Sequence, residues 1–229
     1  MSFELSIDTS TNHSGIALSE QGVPFAEYSW TSRFNHTVEL LPAVDMLITH
    51  HGRKRQEIGA VFVALGPGGF SSLRVGLSTA KGLALALNIP IIGIGTMWVE
   101  AVPYTWQSLS IRPVLDAGRG EFATALFKAD AGHLIQLESE RVVSFDSLAQ
   151  TFDDPTLVCG EHAPTVIERL REKAGSKVVF PGTSARRTGD LAALAWRKLA
   201  SGHTDDIDTL EPMYMRAPSI TAKKIKTNA

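Results

Sequence analysis

The feature that most constrains the fold of this chain is an internal repeat of one strand and turn pattern. Asp8 ends an apolar strand and is followed by a glycine-containing turn and a second apolar strand, and Asp116 does the same 108 residues later. Self-similarity over such a distance indicates two structural units of the same kind. The length of 229 residues suits this division, because it gives two units of roughly 110 residues each.

Each half of the chain predicts the same order of secondary structure. Alternating apolar and polar residues over 3–30 predict a meander of three antiparallel strands. Helices and buried strands then alternate, and the two longest helices are predicted at 37–50 and 71–87. From residue 111 the pattern runs through the same elements and ends on a helix at 189–199. The sequence therefore predicts an α/β protein with the order βββαβαβα in both halves.

Two copies of this order describe the duplicated actin-like (ASKHA) architecture, in which two α/β lobes face each other across a cleft. We expect an N-terminal lobe at 1–108, a C-terminal lobe at 109–210 and a tail at 211–229. In such folds the aspartate-bearing turns point at the cleft and hold phosphate through backbone N–H groups and hydroxyls. The aspartate itself is aimed at a metal ion or at the attacking water.

Two turns of this chain are candidate phosphate turns, formed by Asp8, Thr9 and Ser10 and by Asp116 and Gly118. A carboxylate beside hydroxyls suits a phosphate or a metal-bound phosphate. The same residue types also satisfy the backbone of their own turn, and the sequence leaves both interpretations open. We therefore name these residues as relict phosphate turns, with weak nucleotide binding as the most that we expect of them.

The most informative stretch is the glycine-rich loop at 66–69, which follows a predicted buried strand and leads into the helix at 71–87. Glycines at such a place let the backbone approach another group closely, and a helix N-terminus favours anions. The loop is not a P-loop, because Leu73 and Arg74 stand where the Gly-Lys-Ser/Thr ending would fall.

Small residues recur every fourth position along the same helix, at Ser72, Gly76, Ala80 and Ala84. Such a stripe permits close contact with a sheet or with another helix. Packing inside the chain's own core and packing against a partner both remain open from the sequence.

Composition and missing motifs exclude several classes of function. With a formal net charge of -2, the chain lacks the excess of basic residues that is typical of a protein that binds nucleic acid by itself. The seven histidines form no HxxxH or HExxH pair, and no nucleophile motif is found, so we expect no metal and no catalytic residue. The single cysteine, Cys159, and the lack of a signal or membrane-spanning segment predict a cytoplasmic protein.

On its motifs the chain resembles the TsaB (YeaZ) family of bacterial tRNA threonylcarbamoyladenosine biosynthesis proteins. The resemblance covers most of the chain, and the glycine-rich loop with its helix is the most specific part. The motifs that carry it are 7–11, His36 with 40–42, 66–70, 73–76, 79–84, 116–117 and 211–216.

The resemblance implies a protein that is not itself the catalyst. In the family, the related subunit TsaD holds the metal and transfers the threonylcarbamoyl group to the adenosine beside the anticodon, and TsaE is the associated ATPase. The resemblance therefore implies a heterodimer with TsaD, a ternary complex with TsaE, a homodimer in isolation and only indirect contact with tRNA. It implies no cofactor.

The resemblance also implies that the helices at 37–50 and 71–87 pack against the equivalent helices of TsaD in a four-helix interface. The interface residues predicted on these helices are Leu41, Asp45, Ile48, Phe70, Ser72, Leu73, Arg74, Gly76, Leu77, Ala80 and Lys81.

An alternative function from a different class is a phosphotransferase or ATPase of the actin-like fold. Such an enzyme would use Asp8 and Asp116 around a metal-bound nucleotide. Binding of ATP by the isolated chain distinguishes this alternative from a scaffold.

Overall fold

The computed structural model of the chain describes residues 2–33, 35–183 and 186–215, and its centre is a pair of five-stranded sheets. The first sheet has the order β3-β2-β1-β4-β5. Its strands are β1 (Phe3–Asp8), β2 (His13–Glu20), β3 (Val23–Thr31), β4 (Ile58–Ala64) and β5 (Ile91–Ile94). The second sheet contains β6 (Ser110–Asp116), β7 (Glu121–Asp130), β8 (His133–Ser144), β9 (Thr156–Cys159) and β10 (Val178–Val179).

The second sheet repeats the first strand by strand. In the first sheet β1 pairs antiparallel with β2 and β2 with β3, while β4 and β5 are parallel to β1. In the second sheet, with the order β10-β9-β6-β7-β8, β6, β7 and β8 form the same antiparallel meander, and β9 and β10 are parallel to β6. The predicted duplication of an actin-like α/β unit is confirmed.

Six α-helices complete the predicted order in both halves of the described chain. They are α1 (His36–His50), α2 (Phe70–Leu87), α3 (Thr96–Ala101), α4 (Phe145–Ala149), α5 (Ala163–Ala174) and α6 (Thr188–Ala200). Among residues 2–33, 35–183 and 186–215, no helix has both the length and the apolar character needed to span a bilayer.

Helices α1 and α2 cover one face of the first sheet. Their buried residues follow helical spacing, with Leu40, Val44 and Leu47 on α1 and Leu77 and Ala84 on α2. These side chains form one core cluster with the strands beneath them. Each helix therefore has one face in the core and leaves the opposite face to solvent.

The helix that ends each half of the chain packs on the sheet of the other half. Leu191 and Ala195 of α6 are buried against Phe62 of the first sheet. In return, Met97 of α3 is buried with Phe127 of the second sheet. The predicted division at residues 108 and 109 separates the two sheets, but the cores on both sides of it contain a helix from the other half.

The chain after α6 lies along the edge of the first sheet. Asp205 pairs with Ile91 of β5, and the Met213 backbone N–H donates to the Leu65 carbonyl oxygen at 2.7 Å. The predicted tail at 211–229 therefore begins in contact with the N-terminal lobe. Its residues beyond 215 lie outside the described part of the chain.

Candidate functional site

The glycine-rich loop packs directly on the first hairpin turn. A side chain at Gly68 would overlap the Ser10 carbonyl oxygen, and the Gly69 backbone N–H donates to that same oxygen at 2.8 Å. About two turns further along α2, a Cβ at Gly76 would overlap the Thr9 hydroxyl. The close approach that these glycines predict is therefore made to the chain's own hairpin.

Asp8 is satisfied within the chain. It is only 2% exposed, and its Oδ1 accepts hydrogen bonds from the Ser10 backbone N–H at 2.9 Å and from the Ser10 hydroxyl at 2.6 Å. Its Oδ2 lies 3.4 Å from Nε of Arg186. A buried carboxylate with these partners is stabilised by its own turn and by an internal cation.

Asp116, its counterpart in the repeat, is exposed. Its Oδ1 accepts a 2.8 Å hydrogen bond from the Gly118 backbone N–H and so closes the turn. Asp116 lines a cleft of about 560 Å³ between the lobes, together with Ser10, Glu161 and His162. The structure thus brings both predicted turns to one cleft, but only one of the two aspartates lies on its surface.

Sequence reasoning missed a buried charged cluster beside Asp8. Arg186 precedes α6, and its Nη1 lies 3.3 Å from Oε1 of Glu100, while its Nη2 lies 3.6 Å from Oε2 of Glu161. These residues carry no motif and are far apart in the sequence, so no spacing could have indicated them. Together with Asp8, they connect four parts of the chain, which are the first hairpin, α3, the residues just before α5 and the residues just before α6.

Glu100 is the most deeply placed member of this cluster. It is 0% exposed, and burial raises its pKa to about 7, with the nearby charges of Asp8 and Glu161 adding to the rise and Arg186 opposing it. A cavity of about 240 Å³ lies beside it, lined by His13, Thr31, Glu100, Glu161 and Arg186. Within the described ranges, no group of three or more metal-ligating side chains has the arrangement of a metal site.

The predicted partner interface has to be corrected, because part of it lies inside the N-terminal lobe. Six of its eleven residues are buried in the chain itself, since the small and apolar stripes of α1 and α2 face the sheet and the first hairpin. These six are Ile48, Ser72, Leu73, Gly76, Leu77 and Ala80. They cannot contact a partner without unpacking the core.

The other predicted interface residues lie at the surface. Leu41, Asp45 and Arg74 are exposed, and Phe70 and Lys81 are half-buried. The Arg74 guanidinium lies 3.9 Å from the centroid of the Phe70 ring and donates from Nε to the Tyr214 hydroxyl at 2.8 Å. Phe70 and Arg74 therefore hold the end of the described chain against α2.

The outward sides of α1 and α2 carry exposed apolar residues that the core does not use. Val38 is 70% exposed, Leu41 51% and Leu85 65%. Gly82 of α2 is also exposed, and an added Cβ there would meet no atom within 4 Å. We call this surface the α1/α2 face and define it by Val38, Leu41, Asp45, Ser78, Gly82 and Leu85.

Comparison with known proteins places the chain in a family. The family model described as TsaD, tRNA N6-adenosine threonylcarbamoyltransferase, matches residues 31–217. The tRNA threonylcarbamoyladenosine biosynthesis protein TsaB of Bacillus subtilis (strain 168) is 31% identical, over 97% of this chain and 98% of its own length. The chain belongs to the TsaB (YeaZ) family. The family resemblance read from the motifs is therefore confirmed.

Further relatives are consistent with this assignment. TsaB of Escherichia coli (strain K12) is 27% identical over 93% of this chain and 94% of its own length. The solved structure of YeaZ from Pseudomonas aeruginosa superposes with a TM-score of 0.79 at 24% identity, covering 93% of this chain and all of that one. The ROK hexokinase of Thermus thermophilus, with a TM-score of 0.51 and 11% identity, covers 87% of this chain and 100% of its own and shows a likeness of fold alone.

Proposed function

We propose that this protein is a non-catalytic scaffold subunit of tRNA threonylcarbamoyladenosine biosynthesis. It acts by binding and activating TsaD, which modifies the adenosine 3′ of the anticodon in tRNAs that read codons beginning with A. The TsaB relatives support the pathway. The observation that carries the scaffold role is the α1/α2 face, because it exposes apolar side chains on two neighbouring helices.

The composition of the α1/α2 face suits helix-on-helix packing. An internal helix glycine costs about 1 kcal/mol relative to alanine, and Gly82 makes no close internal contact that would explain that cost. A glycine beside Ser78 lets the backbone of a partner helix approach closely, while Leu41 and Leu85 supply apolar area. The face thus offers both close approach and burial to a partner.

TsaD is the partner that we propose for this face. A TsaD-type family model matches most of this chain, so TsaD shares the fold and has helices equivalent to α1 and α2. Two such pairs form a four-helix interface, for which burial of about 800 Å² on each side suffices. In isolation the same face pairs two copies of this chain, and TsaE joins the TsaD complex as a third subunit. The proposed setting is the cytoplasm, where tRNA is contacted through TsaD.

The replacement of Gly82 by arginine tests this proposal. The variant should fold as well as the wild type, because arginine is a better helix former than glycine and a Cβ at this exposed position meets no atom within 4 Å. It should lose at least tenfold in affinity for TsaD, measured by co-elution and by calorimetry, because the long charged side chain prevents close helix packing. Ala200→Arg, at the exposed end of α6 on the other side of the first sheet, is the matched control.

The same two variants should also differ in cells, in whether they restore the tRNA modification. In a strain that lacks the native gene, Ala200→Arg should restore threonylcarbamoyladenosine to tRNA, as measured by nucleoside mass spectrometry, and Gly82→Arg should not. Unchanged co-elution of Gly82→Arg with TsaD would exclude the α1/α2 face as the binding surface.

One observation favours the alternative of a phosphotransferase or ATPase, namely the exposed Asp116 carboxylate in the cleft between the lobes. The internal pairing of Asp8 with Arg186 opposes it. We expect Asp116→Ala to preserve both the TsaD complex and the level of threonylcarbamoyladenosine, since the change removes only one exposed turn hydrogen bond. Loss of the modification with the complex intact, together with tight magnesium-dependent ATP binding by the wild type, would support the enzyme instead.

A further inference from the structure

We propose that Arg186 supplies, from within the chain, the cation that three carboxylates at the cleft require, and that its guanidinium thereby joins the two halves of the protein. The three carboxylates are those of Asp8, Glu100 and Glu161. This inference does not depend on the proposed function, since it concerns only contacts within the chain.

The guanidinium reaches all parts of the cluster at once. Its Nε faces Asp8, its Nη1 faces Glu100, and its Nη2 faces Glu161. Nη2 also donates to the Thr11 hydroxyl and to the His13 carbonyl oxygen of the first hairpin, both at 2.6 Å, so that Glu161 is attracted by the charge without a hydrogen bond. A planar guanidinium has five N–H donors and can face several acceptors in different directions at once. A lysine ammonium is a point charge with only three donors.

Glu100 shows that the cluster depends on this cation. It is fully buried at the edge of the 240 Å³ cavity, and neither of its carboxylate oxygens has a well-formed hydrogen bond from the side chains that the structure describes. The Arg186 Nη1 and the Glu161 backbone N–H are the donors directed towards it. An ionised carboxylate in this position needs a positive charge nearby, because burial alone strongly disfavours the charge.

The charge balance makes the effect of removing Arg186 predictable. Three carboxylates face one guanidinium, and Asp8, Glu100 and Arg186 are buried. Without the guanidinium, the carboxyl groups must either repel one another as carboxylates or hold protons that the unfolded chain releases at neutral pH, and both alternatives lower the stability of the fold. The first hairpin, α3 and the residues before α5 and α6 then lose the side chain that joins them.

Chemical rescue of Arg186→Ala tests the proposal. The variant should unfold about 10 °C below the wild type, because it leaves buried charge without a partner. Methylguanidinium at millimolar concentration should restore several degrees of this loss in a saturable manner, since it can occupy the space of the missing side-chain end. Tetramethylammonium at the same concentration, which has the charge but no N–H donors, should restore none.

Arg187→Ala is the matched control, because Arg187 is adjacent but its side chain is exposed in an ion pair with Glu27. It should shift the unfolding temperature by less than about 3 °C and should not respond to methylguanidinium. Equal losses in the two variants, or an absence of any specific response in Arg186→Ala, would overturn the proposal.

A second pair of variants keeps the test decisive if Arg186→Ala does not fold. At pH 8, Glu100→Gln should stabilise Arg186→Met by more than it stabilises the wild type, because without Arg186 the fold must bury either the Glu100 charge or a proton that the unfolded chain has released. Soluble yield and unfolding temperature are both measured for the single and double variants. If Glu100→Gln improves Arg186→Met by no more than it improves the wild type in both measurements, charge compensation is not the role of Arg186.

Discussion

Replacement of Gly68 by alanine is expected to destabilise this protein by about 3 kcal/mol or more. The added Cβ would overlap the backbone carbonyl of Ser10, which also accepts the hydrogen bond from the Gly69 backbone N–H. Because the obstruction is backbone, no rotamer change can relieve it, and either the first hairpin or the glycine-rich loop has to move. The free energy of unfolding in urea, followed by circular dichroism, measures the loss.

Gly82→Ala provides the matched control for this prediction. The same methyl group meets open space there, and alanine is the better helix former, so this variant should gain up to about 1 kcal/mol. A Gly68→Ala protein as stable as Gly82→Ala would show that the loop and the hairpin do not pack as closely as described.

Glu100→Gln is expected to make the stability of the protein less dependent on pH. The folded-state pKa of Glu100 is raised from its ordinary value of 4.5 to about 7, so the folded protein holds a proton that the unfolded chain has released between these values. Stability supplied by this group is present below pH 4.5 and is lost as the pH rises to about 7. The shift corresponds to about 3 kcal/mol.

Glutamine cannot lose this proton, so the variant should gain on the wild type as the pH rises from 5 to 8, which urea unfolding at several pH values measures. The charged groups facing Glu100 are Asp8, Glu161 and Arg186, with His13 across the cavity. Burial also raises the pKa of Asp190, to about 6, so Asp190 makes stability fall with rising pH in the same way. Because Asp190 is present in both the wild type and Glu100→Gln, its contribution cancels when the two are compared.

Glu172→Gln, at an exposed position of α5, is the control for this pH series and should keep the wild-type profile. A Glu100→Gln protein whose profile parallels that of the wild type would mean that Glu100 is ionised in the folded state throughout this range.

The order of elements could be predicted because its signals are local. The strands of both meanders show period-two alternation, and the repeated aspartate turns align the two halves. The exchange of α3 and α6 could not be predicted in this way. An apolar helical stripe indicates that a helix is covered, but it does not indicate which of two similar sheets covers it.

The site was predictable to the same limited extent. Asp8 and Ser10 belong to a turn with a recognisable composition, and the glycines at 66–69 indicate close backbone approach. Glu100 and Arg186 have no such local pattern, since their proximity arises only when elements from both halves pack together. The stripe that includes Gly76 left two interpretations open, and the structure shows that it packs in the core.

The reciprocal placement of α3 and α6 has a consequence for the way in which this protein comes apart. A protease cut in the segment at 105–109 would leave two fragments, each lacking one helix that packs on its own sheet and each carrying a helix that packs on the sheet of the other. We expect such fragments to stay bound to each other after the peptide bond is broken. We therefore expect the two lobes to denature as a single cooperative unit rather than one after the other, in contrast to lobes with independent cores.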